Sequence, residues 1–120
     1  MAMSVKEPVY VSGPMTGYPE FNYPAFTHAC RVLRDQGLTV LSPHEVGETP
    51  GLTWADYIRK DLVLLAQAQS VVVLDGWECS RGAQLEVYIA HTLGMPVVPF
   101  GVLLLEAQRG GWVDRGGPND

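Results

Sequence analysis

Two kinds of hydrophobic pattern alternate along the chain. Short runs of β-branched and aliphatic residues are typical of buried strands, whereas apolar residues one helical turn apart predict amphipathic helices. The predicted strands are residues 8–13, 38–41, 71–74 and 95–100, and the predicted helices are residues 22–36, 54–69, 83–93 and 102–108. The third helix is expected to pack through Ala83, Val87, Ala90 and Leu93. Thr53 and Asp56 have the spacing of a helix N-cap, and Gly37 and Gly94 are placed to end helices.

The order of these elements, β-α-β-α-β-α-β, is typical of a parallel sheet with helices on both faces. We therefore predict a three-layer α/β fold of the Rossmann or flavodoxin-like type, with four to five strands. If the strand order is 2-1-3-4, the loops after the first and third strands flank the topological switch point, where such folds bind ligands. These loops are Gly13–Gly17 and Asp75–Gly82. Pro96 and Pro99 place the fourth strand at or near an edge.

Composition indicates one compact domain. The 120 residues are 47% hydrophobic and 18% charged, which suits a single folded core. We expect this core at residues 8–100 and a flexible tail at residues 110–120, in which Trp112 and Val113 are available to dock on a partner subunit. The net charge of −5 argues against a nucleic-acid polymer as partner. No apolar run approaches the length of a membrane span and no signal peptide is recognisable, so we expect a cytoplasmic protein without a membrane partner.

The spacing of cysteines and histidines predicts neither a disulfide nor a metal site. Cys30 and Cys79 lie far apart and are expected to be free thiols. His28, His44 and His91 match no metal-binding spacing. We therefore predict no metal and no cofactor.

The two loops carry groups that suit a small anionic ligand. Ser12, Gly13 and Thr16 on one side, with Ser80 and Arg81 on the other, offer hydroxyls, backbone amides and one planar cation, which are typical phosphate contacts. The helix that follows the second loop would also aim its N-terminus at the ligand. A simple strand-to-helix turn remains the alternative for the first loop, since its glycines match neither the dinucleotide fingerprint nor a P-loop.

Two carboxylates and a tyrosine are the candidate catalytic groups. Glu86 lies in an early turn of the third helix, and Asp61 lies on the apolar side of the second. Glycosidic cleavage needs one carboxylate at the anomeric carbon and a second group for the leaving-group proton, which are the roles predicted for Glu86 and Asp61. Tyr10 is placed to orient the nucleophile. The alternatives are a surface Asp61 paired with Arg59 or Lys60, and Tyr10 as an ordinary core residue.

Three features together resemble the nucleoside 2-deoxyribosyltransferase superfamily. They are the sequence YVSGPMTG at residues 10–17, the Asp of RKDL (Asp61), and Ser80 with Glu86 six residues later. The serine is closer to the phosphate-using branch, the 2′-deoxynucleoside 5′-monophosphate N-glycosidases. The pattern SGPMTG…DGWE-SRGA-LE is similar to a small bacterial and phage family of this superfamily, and the resemblance covers about residues 8–100.

The resemblance implies a nucleophilic Glu86, a supporting Asp61 and a Tyr10 near the nucleophile. The ligand contacts expected from the two loops are Ser12, Gly13, Pro14, Met15, Thr16 and Gly17 from the first, and Asp75, Trp77, Ser80, Arg81 and Gly82 from the second. The transferase branch has an Asp where this chain has Ser80, and a hydroxyl tolerates a 5′-phosphate that an acid would repel. The glycosidase branch carries a basic residue in the first loop, where this chain has Thr16.

The function implied is that of a hydrolase, which cleaves the N-glycosidic bond of a (deoxy)nucleoside 5′-monophosphate through a glutamate nucleophile. The alternatives are base exchange between nucleosides and nucleotide binding without turnover. Members of the superfamily are commonly dimers or larger, so a homo-oligomer is also implied.

Overall fold

The computed structural model describes residues 5–47 and 49–110. In those ranges the strands are β1 (Val9–Ser12), β2 (Val40–Leu41), β3 (Ser70–Val73) and β4 (Val97–Pro99), and the α-helices are α1 (Tyr23–Asp35), α2 (Trp54–Ala66), α3 (Arg81–Thr92) and α4 (Phe100–Gln108). The predicted alternation of strands and helices is confirmed. None of the described helices is long and apolar enough to cross a membrane. The predicted tail, with Trp112 and Val113, lies outside the described residues except for Gly110.

The strands form one parallel sheet in the order β2-β1-β3-β4. This confirms the predicted α/β fold, agrees with the strand order assumed above, and places β4, which contains Pro99, at an edge. β1 and β3 are in register, with Tyr10 opposite Val71 and Ser12 opposite Val73. Because parallel neighbours end at the same edge of a sheet, the loops that follow β1 and β3 start side by side.

Each face of the sheet has its own hydrophobic core. Val9 and Val11 point to the face that packs with Phe26 and Leu33 of α1 and Leu103 of α4. On the opposite face, the buried residues are Tyr10, Leu65, Ala68, Val71, Val73, Val87 and Ala90, from β1, β3, α2 and α3. Because both faces of the sheet are buried, the strand sequences are continuous apolar runs without alternating polar residues.

Two predicted helix ends differ from the structure, and hydrogen bonds explain both. The capping box of Thr53 and Asp56 begins α2 as expected, but α2 ends at Ala66 instead of residue 69. Gln67 already bonds three residues back, to the Leu64 carbonyl (3.0 Å), and Gln69 N–H bonds across to Pro8 (2.7 Å), so the chain has turned towards β3.

The prediction that the Leu93 side chain packs inward from α3 is wrong. The helix ends at Thr92, and Leu93 is 62% exposed. The Met95 N–H bonds to the Ala90 carbonyl (2.8 Å), which turns the chain away from the helix after Gly94. The prediction treated Leu93 as a continuation of the helical repeat, but the helix had already closed.

The predicted second strand and last helix are also shifted. β2 is limited to Val40–Leu41, because the Leu38 N–H bonds to the Leu33 carbonyl (3.2 Å) and so closes the end of α1. α4 begins at Phe100, directly after β4, and not at residue 102.

Candidate active site

Glu86 is a carboxylate in the core at the switch point. It lies on α3, is 4% exposed, and receives a hydrogen bond on each carboxylate oxygen. The Ser12 hydroxyl donates to Oε1 at 2.6 Å, and the Tyr10 hydroxyl donates to Oε2 at 3.0 Å. Residues two apart on a strand share a face, so both donors of β1 point to the layer that contains α3.

Burial dominates the electrostatics of Glu86. Loss of solvent raises the pKa of Glu86 from 4.5 to about 7; the Ser12 and Tyr10 hydrogen bonds lower it, and the nearby charge of Asp61 raises it further. A glutamate with this pKa is present in both protonation states near neutral pH. Burial, followed by the charges of Glu86 and Asp61, raises the pKa of Tyr10 well above its usual range, so Tyr10 stays a donor.

Asp61 lies on α2. It is half-buried, and burial raises its pKa from 3.8 to about 6. Its charge acts on both Tyr10 and Glu86. Of the two surface partners considered for Asp61, Arg59 lies 3.8 Å from Asp56 instead. The structure thus joins Tyr10 to Glu86 by a hydrogen bond and places the charge of Asp61 within range of both.

The two predicted ligand loops touch each other. Gly76 has a φ of +88°, and a Cβ at that position would lie 2.6 Å from the Tyr18 hydroxyl and 3.3 Å from Pro14. At Gly13 a Cβ would lie 2.8 Å from the Cβ of Leu74. Gly13 is therefore required by the close approach of Leu74, and Gly76 by its positive φ.

The start of α3 forms one wall of the site. The Ser80 side-chain oxygen accepts a hydrogen bond from the Ala83 N–H (3.2 Å) and so caps the helix. The guanidinium of Arg81 lies over the Trp54 ring, 3.8 Å from its centroid. The close approach of Gly82 to Ile58 brings α3 against α2, since a Cβ there would lie 3.1 Å from that side chain.

The other predicted ligand contacts differ in accessibility. Thr16, Gly17 and Asp75 are exposed. Pro14 is buried, whereas Met15 and Trp77 are half-buried and pack against the two cores. Ser12 departs from the expectation of a ligand contact, because its side chain is fully buried and its hydroxyl is directed to Glu86.

One group of possible metal ligands lies apart from this site. The donor atoms of Cys30, His44 and Glu45 lie within 4.8 Å of one another. Both carboxylate oxygens of Glu45 are, however, held by the Arg34 guanidinium, at 2.7 and 2.8 Å. That positive charge opposes a cation, so we assign no metal to the group. Spacing rules overlook such clusters, since the cysteine is in α1 and the other two residues follow β2.

Comparison with known proteins agrees with this fold. One of the solved structures that match is a 2-deoxyribosyltransferase from the psychrotolerant bacterium Bacillus psychrosaccharolyticus, described as a biocatalyst for the synthesis of antiviral and antitumoral nucleosides. The TM-score is 0.61 at 26% sequence identity, over 76% of this chain and 69% of that chain. The fold is that of the nucleoside 2-deoxyribosyltransferase superfamily.

Within that superfamily, the chain belongs to the family described as domain of unknown function DUF4406, whose model matches residues 7–99. No curated protein matches the sequence.

Proposed function

We propose that the protein cleaves the N-glycosidic bond of a nucleoside 5′-monophosphate, with deoxyribose or ribose as the sugar. The proposal depends above all on Glu86, a buried carboxylate at the switch point that has a donor on each oxygen and is within reach of the charge of Asp61. An oriented carboxylate next to a second acid is the pair that glycosidic cleavage uses.

In the first step Glu86 attacks C1′ of the sugar, and the C1′–N bond breaks through an oxocarbenium-like transition state. The electron pair of that bond leaves with the base, which takes its proton from Asp61. In the second step water attacks C1′ and gives a proton to Asp61, while the ester bond breaks and its electron pair returns to Glu86. The pKa of Asp61, raised to about 6 by burial, suits a group that both gives and takes a proton near neutral pH.

The 5′-phosphate is proposed to bind at the start of α3. The Ser80 oxygen accepts from Ala83, so its own O–H remains a donor for a phosphate oxygen. Arg81 is exposed and adds a planar cation, and the helix N-terminus favours an anion. The Gly13–Gly17 loop, with Thr16 exposed, forms the opposite wall, and Trp77 is the candidate for stacking on the base.

Base exchange is the second candidate, because the similar solved structure is a 2-deoxyribosyltransferase. Hydrolysis and exchange share the first step and differ in what attacks C1′ in the second, water or the nitrogen of another base. Supplying a second free base and looking for a new nucleoside or nucleotide by chromatography distinguishes them.

Base release from a panel of deoxynucleoside and ribonucleoside monophosphates tests the hypothesis that the protein is an enzyme. The variants are Glu86→Gln and, as a matched control, Glu78→Gln, an exposed glutamate of the neighbouring turn. We expect Glu78→Gln to behave as wild type and Glu86→Gln to lose roughly a thousandfold or more in kcat. Absence of release from every nucleotide, with nucleotide binding retained by Glu86→Gln, would instead identify a binding module.

A homo-oligomer is part of the proposal. Large apolar side chains are exposed on α2 (Val63), on α3 (Tyr88) and directly after α3 (Leu93), and a second copy would bury such side chains. Light scattering after size-exclusion chromatography measures the mass, and a monomer at micromolar concentration would contradict this part.

A further inference from the structure

Ser12 lies deeper in the core than a residue that only contacts a ligand would need to. It is the last residue of β1, its side chain is 0% exposed, and its hydroxyl lies 2.6 Å from Oε1 of Glu86. This hydrogen bond is shorter than the 3.0 Å bond from Tyr10 to the other oxygen. The proton of the Ser12 hydroxyl is thus committed to a carboxylate in the core.

Two donors on one strand restrict the carboxylate in a way that one donor does not. The last torsion of a glutamate side chain is broad, so a carboxylate held at one oxygen can still rotate. Tyr10 and Ser12 are fixed to the same face of β1 by the backbone of the sheet, and each holds a different oxygen. The plane of the carboxylate is thereby fixed relative to the strand.

We propose that Ser12 is a positioning residue, which holds the Glu86 carboxylate by Oε1 and does not contact the substrate. The inference rests on the proposed function, in which Glu86 is the nucleophile. It also assigns Ser12 a second effect, since a donor to a buried carboxylate favours its ionised form. The titratable groups that face Glu86 are Tyr10 of β1 and Asp61 of α2, and both remain when Ser12 is changed.

The test compares Ser12→Ala with Ser70→Ala. Ser70 is the matched control, because it is also fully buried on a strand of the same sheet, but its oxygen accepts from the Lys6 N–H and touches no carboxylate. The first measurement is the pKa of Glu86, from a carbon-13 NMR titration of glutamate-labelled protein assigned with Glu86→Gln. The second is the effect on kcat and on KM, and melting temperatures show that each variant folds.

In Ser12→Ala we expect the Glu86 pKa to rise by about one pH unit and kcat at neutral pH to fall about fivefold or more, while KM changes less than about twofold. Ser70→Ala should leave the Glu86 pKa and kcat unchanged. Ser12→Thr, which restores a hydroxyl, should return the Glu86 pKa towards the wild-type value. A higher KM with an unchanged Glu86 pKa would overturn the proposal and make Ser12 a ligand contact.

The two proposals fail in different ways. Absence of base release from wild-type protein overturns the proposed function, but the titration needs no substrate and still decides whether Ser12 acts on Glu86. An unchanged Glu86 pKa in Ser12→Ala overturns the role of Ser12, whatever the activity of the wild type.

Discussion

Replacing Glu86 by glutamine removes an ionisable group from the core with almost no change of shape. It therefore isolates the free-energy cost of holding a carboxylate there. In the unfolded chain this carboxyl has its ordinary pKa of 4.5, whereas burial raises the pKa in the folded protein to about 7. Between these values the folded protein binds a proton that the unfolded chain has released.

The sign and size of the pH effect on stability follow from this difference between the folded and unfolded pKa values. The stability supplied by protonated Glu86 is fully present below pH 4.5 and is lost as the pH rises through 7. At about 1.4 kcal/mol for each pH unit, the loss is about 3 kcal/mol. For a domain of this size it corresponds to a fall of roughly 10 °C in melting temperature.

Urea denaturation at pH 5 and at pH 8 measures the effect, with equal m-values as the check that the same transition is followed. We expect wild type and Glu78→Gln to lose about 2.5 kcal/mol more than Glu86→Gln over this interval, because a small part of the full effect is already lost at pH 5. Asp61, with its pKa raised to about 6, contributes a loss of the same sign in all three proteins and cancels in the comparison. An equal loss in wild type and Glu86→Gln would show that Glu86 is not buried as a carboxylate.

Three other predictions concern the site. Because cleavage needs ionised Glu86 and protonated Asp61, kcat/KM should be bell-shaped in pH with its maximum between about 6 and about 7; a continuous rise to pH 9 would contradict this assignment. Tyr10→Phe removes the donor to Oε2 of Glu86. The Glu86 pKa, measured by NMR, should therefore rise, and kcat for base release should fall about tenfold. If neither value changes, Tyr10 contributes only to packing of the core. Gly76→Ala should lower the free energy of unfolding by about 1 kcal/mol more than Gly47→Ala and weaken nucleotide binding. Both glycines have positive φ, but only at Gly76 would a Cβ crowd Pro14 and the Tyr18 hydroxyl. Calorimetry measures both effects, and equal values for the two variants would contradict this prediction.

The arrangement of strands and the meeting of three side chains were accessible from the sequence. The length and periodicity of apolar runs are local signals that predict the strands and helices. The rule that parallel strands end at one edge of the sheet then predicts which loops lie together. Tyr10, Asp61 and Glu86 lie far apart in the chain. The strand rule places β1, and the family resemblance was needed to assign the two helical carboxylates to the same site.

The role of Ser12 was not accessible in the same way. Alternation shows that Tyr10 and Ser12 share a face, but the residue of α3 that lies over Ser12 depends on the tilt and offset of that helix, which no local pattern encodes. The ends of α2 and α3 were missed for a related reason. They are set by hydrogen bonds from Gln69 to Pro8 and from Met95 to Ala90, and the first of these joins distant parts of the chain.

Strand β1 divides its residues between two tasks with a period of two. Val9 and Val11 face the core shared with α1 and α4, while Tyr10 and Ser12 hold Glu86. A mutational scan that scores abundance and turnover separately should therefore alternate along four successive positions. Insertion of one residue between Tyr10 and Ser12 would put these two side chains on opposite faces, so this short strand should tolerate substitution far better than a change in its length.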